Sequence, residues 1–260
     1  MEGHIRILED WKAAKPTSIA ARVSLAEANL GHAWHIRGTG YAHEVPPEVM
    51  PVFEARMKRA ATEFGEASKL EEKCYGYFES VLRFARGGGI DRQEFERIFA
   101  DAIAYDPTYQ YFYIEKAQYL MPRWAGRPGE LETFVDNTVA SKDETEGLKL
   151  YYLILAELHK YKYDDGDGLF RPNGFSWNRL KKGFVQFEKD HGMTRARLNA
   201  FARIADSAFD AQAQCNTFKR LQGENDFDPD EWKDRKAFER QKKLVFEFLC
   251  KIPKFNNQAE

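Results

Sequence analysis

The sequence is short of most features that would mark an enzyme, a secreted scaffold or a membrane protein. Only three of its 260 residues are cysteine. Cys74, Cys215 and Cys250 show no C-x-x-C spacing, which argues against a disulfide framework or a cysteine-rich zinc site and points to a reducing cytosol. No uncharged apolar run approaches the roughly 20 residues of a membrane span. The opening MEGHIRILEDWKAAKP is charged throughout and lacks the apolar segment of a secretory signal. Neither sign of charge dominates: 39 basic and 41 acidic residues leave a formal charge of -2, with no long-range attraction to nucleic acid or an anionic membrane. Sustained alternation of β-branched residues is missing, and with it the signal for a sheet. A G-x-x-x-x-G-K-[ST] phosphate cradle and a G-x-S-x-G elbow are missing too. These absences predict a cytoplasmic chain without nucleic-acid or membrane partners, without a cofactor and without an assembled catalytic signature.

What is present is apolar material at helical spacing. Hydrophobic residues make up 43% of the chain and aromatics 14%, enough to build a core. Cys74, Phe78, Val81, Leu82 and Ala85 share one helical face; Phe95, Ile98, Phe99, Ala102 and Tyr105 form a second stripe. Leu198, Phe201, Ala202, Ala205 and Phe209 form a third, and Trp232, Phe238, Leu244, Val245 and Phe248 a more charged fourth. The pattern predicts an all-α fold of about a dozen helices. EKCYGYFESVLRFARGGGIDRQEFERIFADAIAYDPTYQY reads as helix, glycine turn, helix and an Asp106-Pro107 stop, with Asp91 as an N-cap. Residues 145–161 should pair with 175–190, and 195–209 with 211–222. Paired helices at this period predict a tetratricopeptide-like α-solenoid of degenerate repeats. It would form a single domain over 1–260, with 227–260 as a terminal capping helix and tail. A compact helical bundle is the structural rival.

The stretch YLMPRWAGRPGELETF concentrates helix breakers. Pro122 should end the helix that starts near Tyr109 by about Met121. Gly126 would supply a positive-φ corner, and Pro128 would sit in the first turn of the next helix. Trp124 would plug the joint between the two helices. Pro122, Trp124 and Gly126 are therefore read as a structural corner.

Three other motifs bear on chemistry. His32 and His35 stand at i, i+3 and His43 follows; a third ligand meeting the pair would make a metal-dependent hydrolase, the alternative to a binding protein. The H-E-x-x-H pattern is missing, and the reading is of no metal site. In YKYDDGDGLF, Asp164, Asp165 and Asp167 resemble part of a calcium loop. An EF-hand register from Asp165 would place Leu169 and Ser176 where oxygen ligands are required, so a solvated loop is expected. TYQYFYIEKAQYLMPRW holds Tyr109, Tyr111, Phe112, Tyr113 and Tyr119, more large residues than one buried stripe uses. Tyr111, Gln118 and Arg123 from this helix pair, with Glu157 and Lys160 from the next, are the candidate partner-binding residues, because tyrosine and arginine are favoured in binding hot spots.

Four patches in order resemble a bacterial domain family of unknown function with a tetratricopeptide-like build. They are EDWKAAKPTSIAARVSLAEANLGHAWHIRGTGYAHEV, FADAIAYDPTYQYFYIEKAQYLMPRWAGRPGELETF, FSWNRLKKGFVQFEKDHG and RLNAFARIADSAFDAQAQ. Within them Trp11, Pro16, Ser18, Trp34, Arg37 and Gly38, and then Pro107, Tyr109 and the P-x-W-x-G corner, are similar to the family. Ala125 and Arg127 stand where a glycine and a small polar residue are expected. The resemblance spans approximately residues 9 to 235 and implies the repeat fold, with no catalytic residues to transfer. Members of the family often have more chain ahead of this region, which implies a shortened version or an excised domain. The expected function is a non-enzymatic protein-binding module. Its partner would be a toxin, an effector or a complex subunit, the first case making it an immunity protein.

Overall fold

A computed structural model describes residues 2–38, 40, 42–87, 90–161, 168–170, 174–223 and 226–251. Among them every regular element is a helix and none is a strand. The chain forms two compact units, Met1–Pro128 and Gly129–Glu260, where the sequence alone suggests one continuous array.

The first unit holds α1 (Glu2–Ala14), α2 (Ile19–Arg37), α3 (Met50–Ser68), α4 (Tyr75–Ala85), α5 (Arg92–Tyr105) and α6 (Gln110–Tyr119). Its longest pairing is α2 along α3. Ala21, Ala26 and Ala33 of α2 and Ala60 and Ala67 of α3 are fully buried, so side chains without bulk let the two backbones approach. The α4 helix packs against α2, α5 and α6 through Phe78, Val81 and Leu82, all buried. Asp91 caps α5 as expected, and Ser18 caps α2. Ser18 accepts from Ala21 N at 3.2 Å, and Asp91 accepts from Glu94 N at 2.8 Å, each satisfying an orphan donor of a first turn.

The end of α6 differs from the expected corner at Gly126 and at Pro128, which precedes the N-cap Gly129 of the next helix instead of lying in its first turn. The helix stops at Tyr119, and Ala125 N and Gly126 N return to Tyr119 O (3.1 Å) and Met121 O (3.3 Å), satisfying carbonyls the helix leaves open. Gly126, however, is not among the positive-φ residues. It is required by proximity: a Cβ there would lie 1.7 Å from Leu120 O. The positive φ, +78°, belongs to Gly129, which precedes the next helix. Trp124 is half-buried and meets Trp34 edge-on at 5.7 Å.

The second unit holds α7 (Glu130–Ala140), α8 (Glu144–Lys160), α9 (Trp177–His191), α10 (Arg195–Ser207), α11 (Ala211–Phe218) and α12 (Arg235–Glu247). As the periodicity indicates, α8 pairs with α9 and α10 with α11. Gly183 of α9 is pressed against α8 so closely that a Cβ would lie 2.1 Å from Leu148 O. Capping side chains open α8, α9, α10, α11 and α12 at Asp143, Ser176, Thr194, Asp210 and Asp234.

Three expectations change in this unit. Phe209 leaves the apolar stripe of α10: the helix ends at Ser207, Phe209 takes a left-handed φ of 54°, and its side chain is 94% exposed. On α12, Phe238 and Val245 are buried while Leu244 and the following Phe248 are exposed; positions seven apart share a face and 244 falls off it. Finally, Cys215 and Cys250 form a disulfide, with Cα atoms 5.2 Å apart. It ties the turn after α12 to α11 and removes the cysteine-based argument for a reducing compartment. Only Cys74 is a free thiol.

Candidate functional site

The first unit gathers tyrosines at one end of α4, α5 and α6. Pro107 cannot continue a helix and biases Asp106 away from helical angles, so α5 stops at Tyr105. Asp106 then accepts from Thr108 N and Thr108 Oγ1, both at 2.7 Å, turning the chain into α6. This turn lies beside the start of α4, where Tyr75 is the first helical residue. The Tyr75 ring sits 5.2 Å from Tyr105 and 4.5 Å from Tyr109, and Tyr109 lies 5.5 Å from Tyr111. Tyr75, Tyr105 and Tyr111 are 41%, 45% and 45% exposed. Beneath them Phe112 is fully buried against both Tyr75 and Tyr109. The four rings thus form a surface cluster with an apolar floor.

A line of charged groups runs inward from these rings. Tyr75 OH donates to Asp106 Oδ2 at 2.8 Å, and Tyr109 OH donates to Glu79 Oε2 at 3.1 Å. The other oxygen of Glu79 accepts from Arg83 Nη2 at 2.6 Å. Arg83 also reaches Glu115 Oε1 of α6 at 3.3 Å and Glu27 Oε2 of α2 at 3.5 Å. Arg86, the C-cap of α4, lies 3.3 Å from Glu115 Oε2 and donates to Gln118. Glu79, Arg83 and Arg86 fall on one helical face by their i, i+4, i+7 spacing. Glu115 and Gln118 oppose them from α6.

The electrostatics follow from burial and sign. Glu115 is 5% exposed, and burial pushes its carboxyl above the usual range despite Arg86 and Arg83 beside it. Burial works against the Arg83 charge, but Glu115, Glu27 and Glu79 together raise its guanidinium above its ordinary value. Burial, reinforced by Glu79, pushes the Tyr109 phenol up to about 12. Glu27 Oε1 and Glu115 Oε2 are buried without a hydrogen-bond donor among the described residues. The ensemble is a tyrosine-capped surface over four acidic side chains, Glu27, Glu79, Asp106 and Glu115, that face two guanidiniums, Arg83 and Arg86.

The sequence-based candidates distribute unevenly. Tyr111 stands in the exposed cluster. Gln118 lies beneath it, 3% exposed and bonded to Arg86, so it serves the interior of the network and not an open groove. Arg123 lies 5.5 Å over the Trp124 ring. Glu157 and Lys160 belong to the second unit, where they pair with each other at 2.8 Å on α8. The residues missed from sequence are Tyr75, Tyr105, Glu27, Glu79, Arg83 and Glu115. Charged residues at i, i+4 and i+7, Glu79 and Arg83 within an otherwise apolar α4 and Arg86 at its C-cap, were the available signal.

The other chemistry-bearing motifs fall only partly among the described residues. Among the described residues no three His, Cys, Asp or Glu side chains are placed to hold a metal, so His32, His35 and His43 do not form a shared ligand set. The Asp164, Asp165 and Asp167 loop lies outside the described residues. In the second unit His159 Nε2 is 2.9 Å from Ser207 Oγ. Ser207 in turn donates to Arg203 O at 3.2 Å, which engages the proton a nucleophilic serine would surrender to its base. Burial, with the charge of Arg203, holds His159 down at about 4. The pair tethers α8 to α10. No described helix is long and apolar enough to cross a membrane. Comparison of the chain with protein-family models, curated proteins and solved structures returns no match.

Proposed function

We propose that the chain is a non-enzymatic protein-binding module, built from tetratricopeptide-like helix pairs, that docks a partner protein on the tyrosine cluster of its first unit. The observation that supports this reading is the contact among Tyr75, Tyr105, Tyr109 and Tyr111, with three of the four rings over 40% exposed. Tyrosine combines large contact area, few rotatable bonds and a hydroxyl, and it is enriched where binding energy concentrates. Here Tyr75 and Tyr109 are held by Asp106 and Glu79, so little of their side-chain freedom is lost on docking.

A photo-crosslinking residue placed at Tyr111 tests the proposal in the native host. It should yield one dominant protein adduct, and the purified adduct partner should bind the wild-type chain but not a Tyr105→Ala, Tyr111→Ala variant of unchanged helicity. A purified partner that binds both forms equally counts against the site, and a retained small molecule with no protein adduct counts against the class of function. Toxin neutralisation is the more specific form of the proposal. Co-expression with the product of the adjacent gene should then rescue growth, and a harmless neighbour that does not bind removes this form.

A further inference from the structure

The charge around the tyrosine cluster indicates the kind of partner surface that fits it. Four carboxylates, those of Glu27, Glu79, Asp106 and Glu115, are joined through hydrogen bonds to Tyr75, Tyr109 and Arg83. Two guanidiniums, of Arg83 and Arg86, face them. Of the nearby cations, Lys116 pairs with Glu96 at 2.6 Å, and Lys73 keeps its charge but is held over the Tyr77 ring, with Leu70 O accepting from it. Glu115, although nine-tenths buried, keeps an oxygen without a hydrogen-bond donor, its ion pair with Arg86 notwithstanding. The Glu27 carboxylate has an acceptor in the same condition.

Resting on the binding-module reading, we infer that the partner meets this surface with a basic segment, laying an arginine or lysine side chain across Tyr109 and Tyr111 beside Glu79. Aromatic faces attract a cation through the ring quadrupole, and the surplus carboxylates supply the opposite charge. An acidic segment would meet like charge. A purely apolar one would desolvate Glu79 and Asp106 without compensating them. Nucleic acid is disfavoured by the same sign of charge.

Fluorescence anisotropy with the full chain tests the inference. Three labelled peptides are used that differ only in holding arginine, glutamine or glutamate at the same two positions. The arginine peptide should bind about tenfold tighter than the glutamine peptide, the glutamate peptide should bind weakest, and the preference should shrink between about 50 and 200 mM salt. Tyr111→Ala, at an exposed position, should weaken the arginine peptide by roughly two- to fivefold. Glu79→Gln should erase most of the preference for arginine over glutamine, and Glu54→Gln on α3 should change nothing. Equal affinity for the arginine and glutamate peptides, no binding of the arginine peptide, or a preference that survives Glu79→Gln would each overturn the inference. Tight binding of the glutamine peptide that is lost in Tyr111→Ala would refute the basic partner while leaving the binding module standing.

Discussion

The contact between α8 and α9 makes a sharp prediction about Gly183. A methyl group there would lie 2.1 Å from Leu148 O and 2.9 Å from Tyr152 Cβ, where ordinary contacts begin at 3.4 Å. The obstructing oxygen is a backbone carbonyl inside α8, which cannot rotate away as a side-chain tip would. The helices must therefore separate by about 1 Å, toward the upper end of overpacking costs of about 1–3 kcal/mol. Separation would also loosen the Tyr152–Phe184 edge contact at 5.6 Å and the Phe184–Phe201 stack at 3.7 Å. Alanine's higher helix propensity returns about 1 kcal/mol, leaving Gly183→Ala destabilising by about 2 kcal/mol. Gly31 and Gly65 supply the comparison: both are exposed and helical, and a Cβ at either meets nothing within 4 Å. Their alanine variants should gain about 0.5–1 kcal/mol. In urea melts the transition of the second unit should fall by roughly 0.7–1 M for Gly183→Ala, for an m-value of about 2–3 kcal/mol/M. A Gly183→Ala protein at least as stable as wild type would refute the reasoning, because the overlap with Leu148 O would then cost no more than the helix propensity of alanine returns.

Three further outcomes are expected. Gly126→Ala should cost at least about 3 kcal/mol, since its Cβ would fall 1.7 Å from Leu120 O at an immovable backbone; Trp124→Ala, at a half-buried ring, should cost less, about 2 kcal/mol by chemical denaturation. His159, held down at about 4, is neutral in both folded and unfolded chains above its ordinary value near 6.5. As pH falls from about 6.5 towards 4 the unfolded chain takes up a proton that the folded one refuses, so stability should decline by up to about 3 kcal/mol, and His159→Gln should flatten that part of the stability–pH curve. Reducing the Cys215–Cys250 disulfide, which spans 35 residues, or replacing Cys215 by alanine should cost about 3–4 kcal/mol on loop-closure grounds, read as a lower midpoint for the second unit and earlier proteolysis after α12. A reduced chain with an unchanged midpoint would argue against the pairing.

Local physics explains what the sequence by itself determined. Helical spacing predicted the all-α class, the pairing of α8 with α9 and of α10 with α11, and the buried stripe of α4, because each depends on neighbours within a turn or on the next helix along. Proline at 107 and the carboxylate of Asp91 marked a helix end and a cap for the same reason: their effects act within three or four residues. The need for glycine at 126 was legible too, but its cause was not. Glycine's freedom within a cluster of helix breakers suggested a left-handed φ, whereas the structure requires the glycine because Leu120 O folds back onto it. Similarly, the pattern that placed Phe209 on a buried face assumed a helix that had already ended at Ser207. What only tertiary structure decided are meetings between residues some 30 or more apart: Tyr75 with Tyr105 and Tyr109, Arg83 with Glu115 and Glu27, Cys215 with Cys250. A tyrosine at 75 or a glutamate at 115 looks the same in a sequence window whether it faces solvent or a guanidinium. Only the packing of α2, α4 and α6 removes water from those charges, and it is that loss of water which makes them a candidate site.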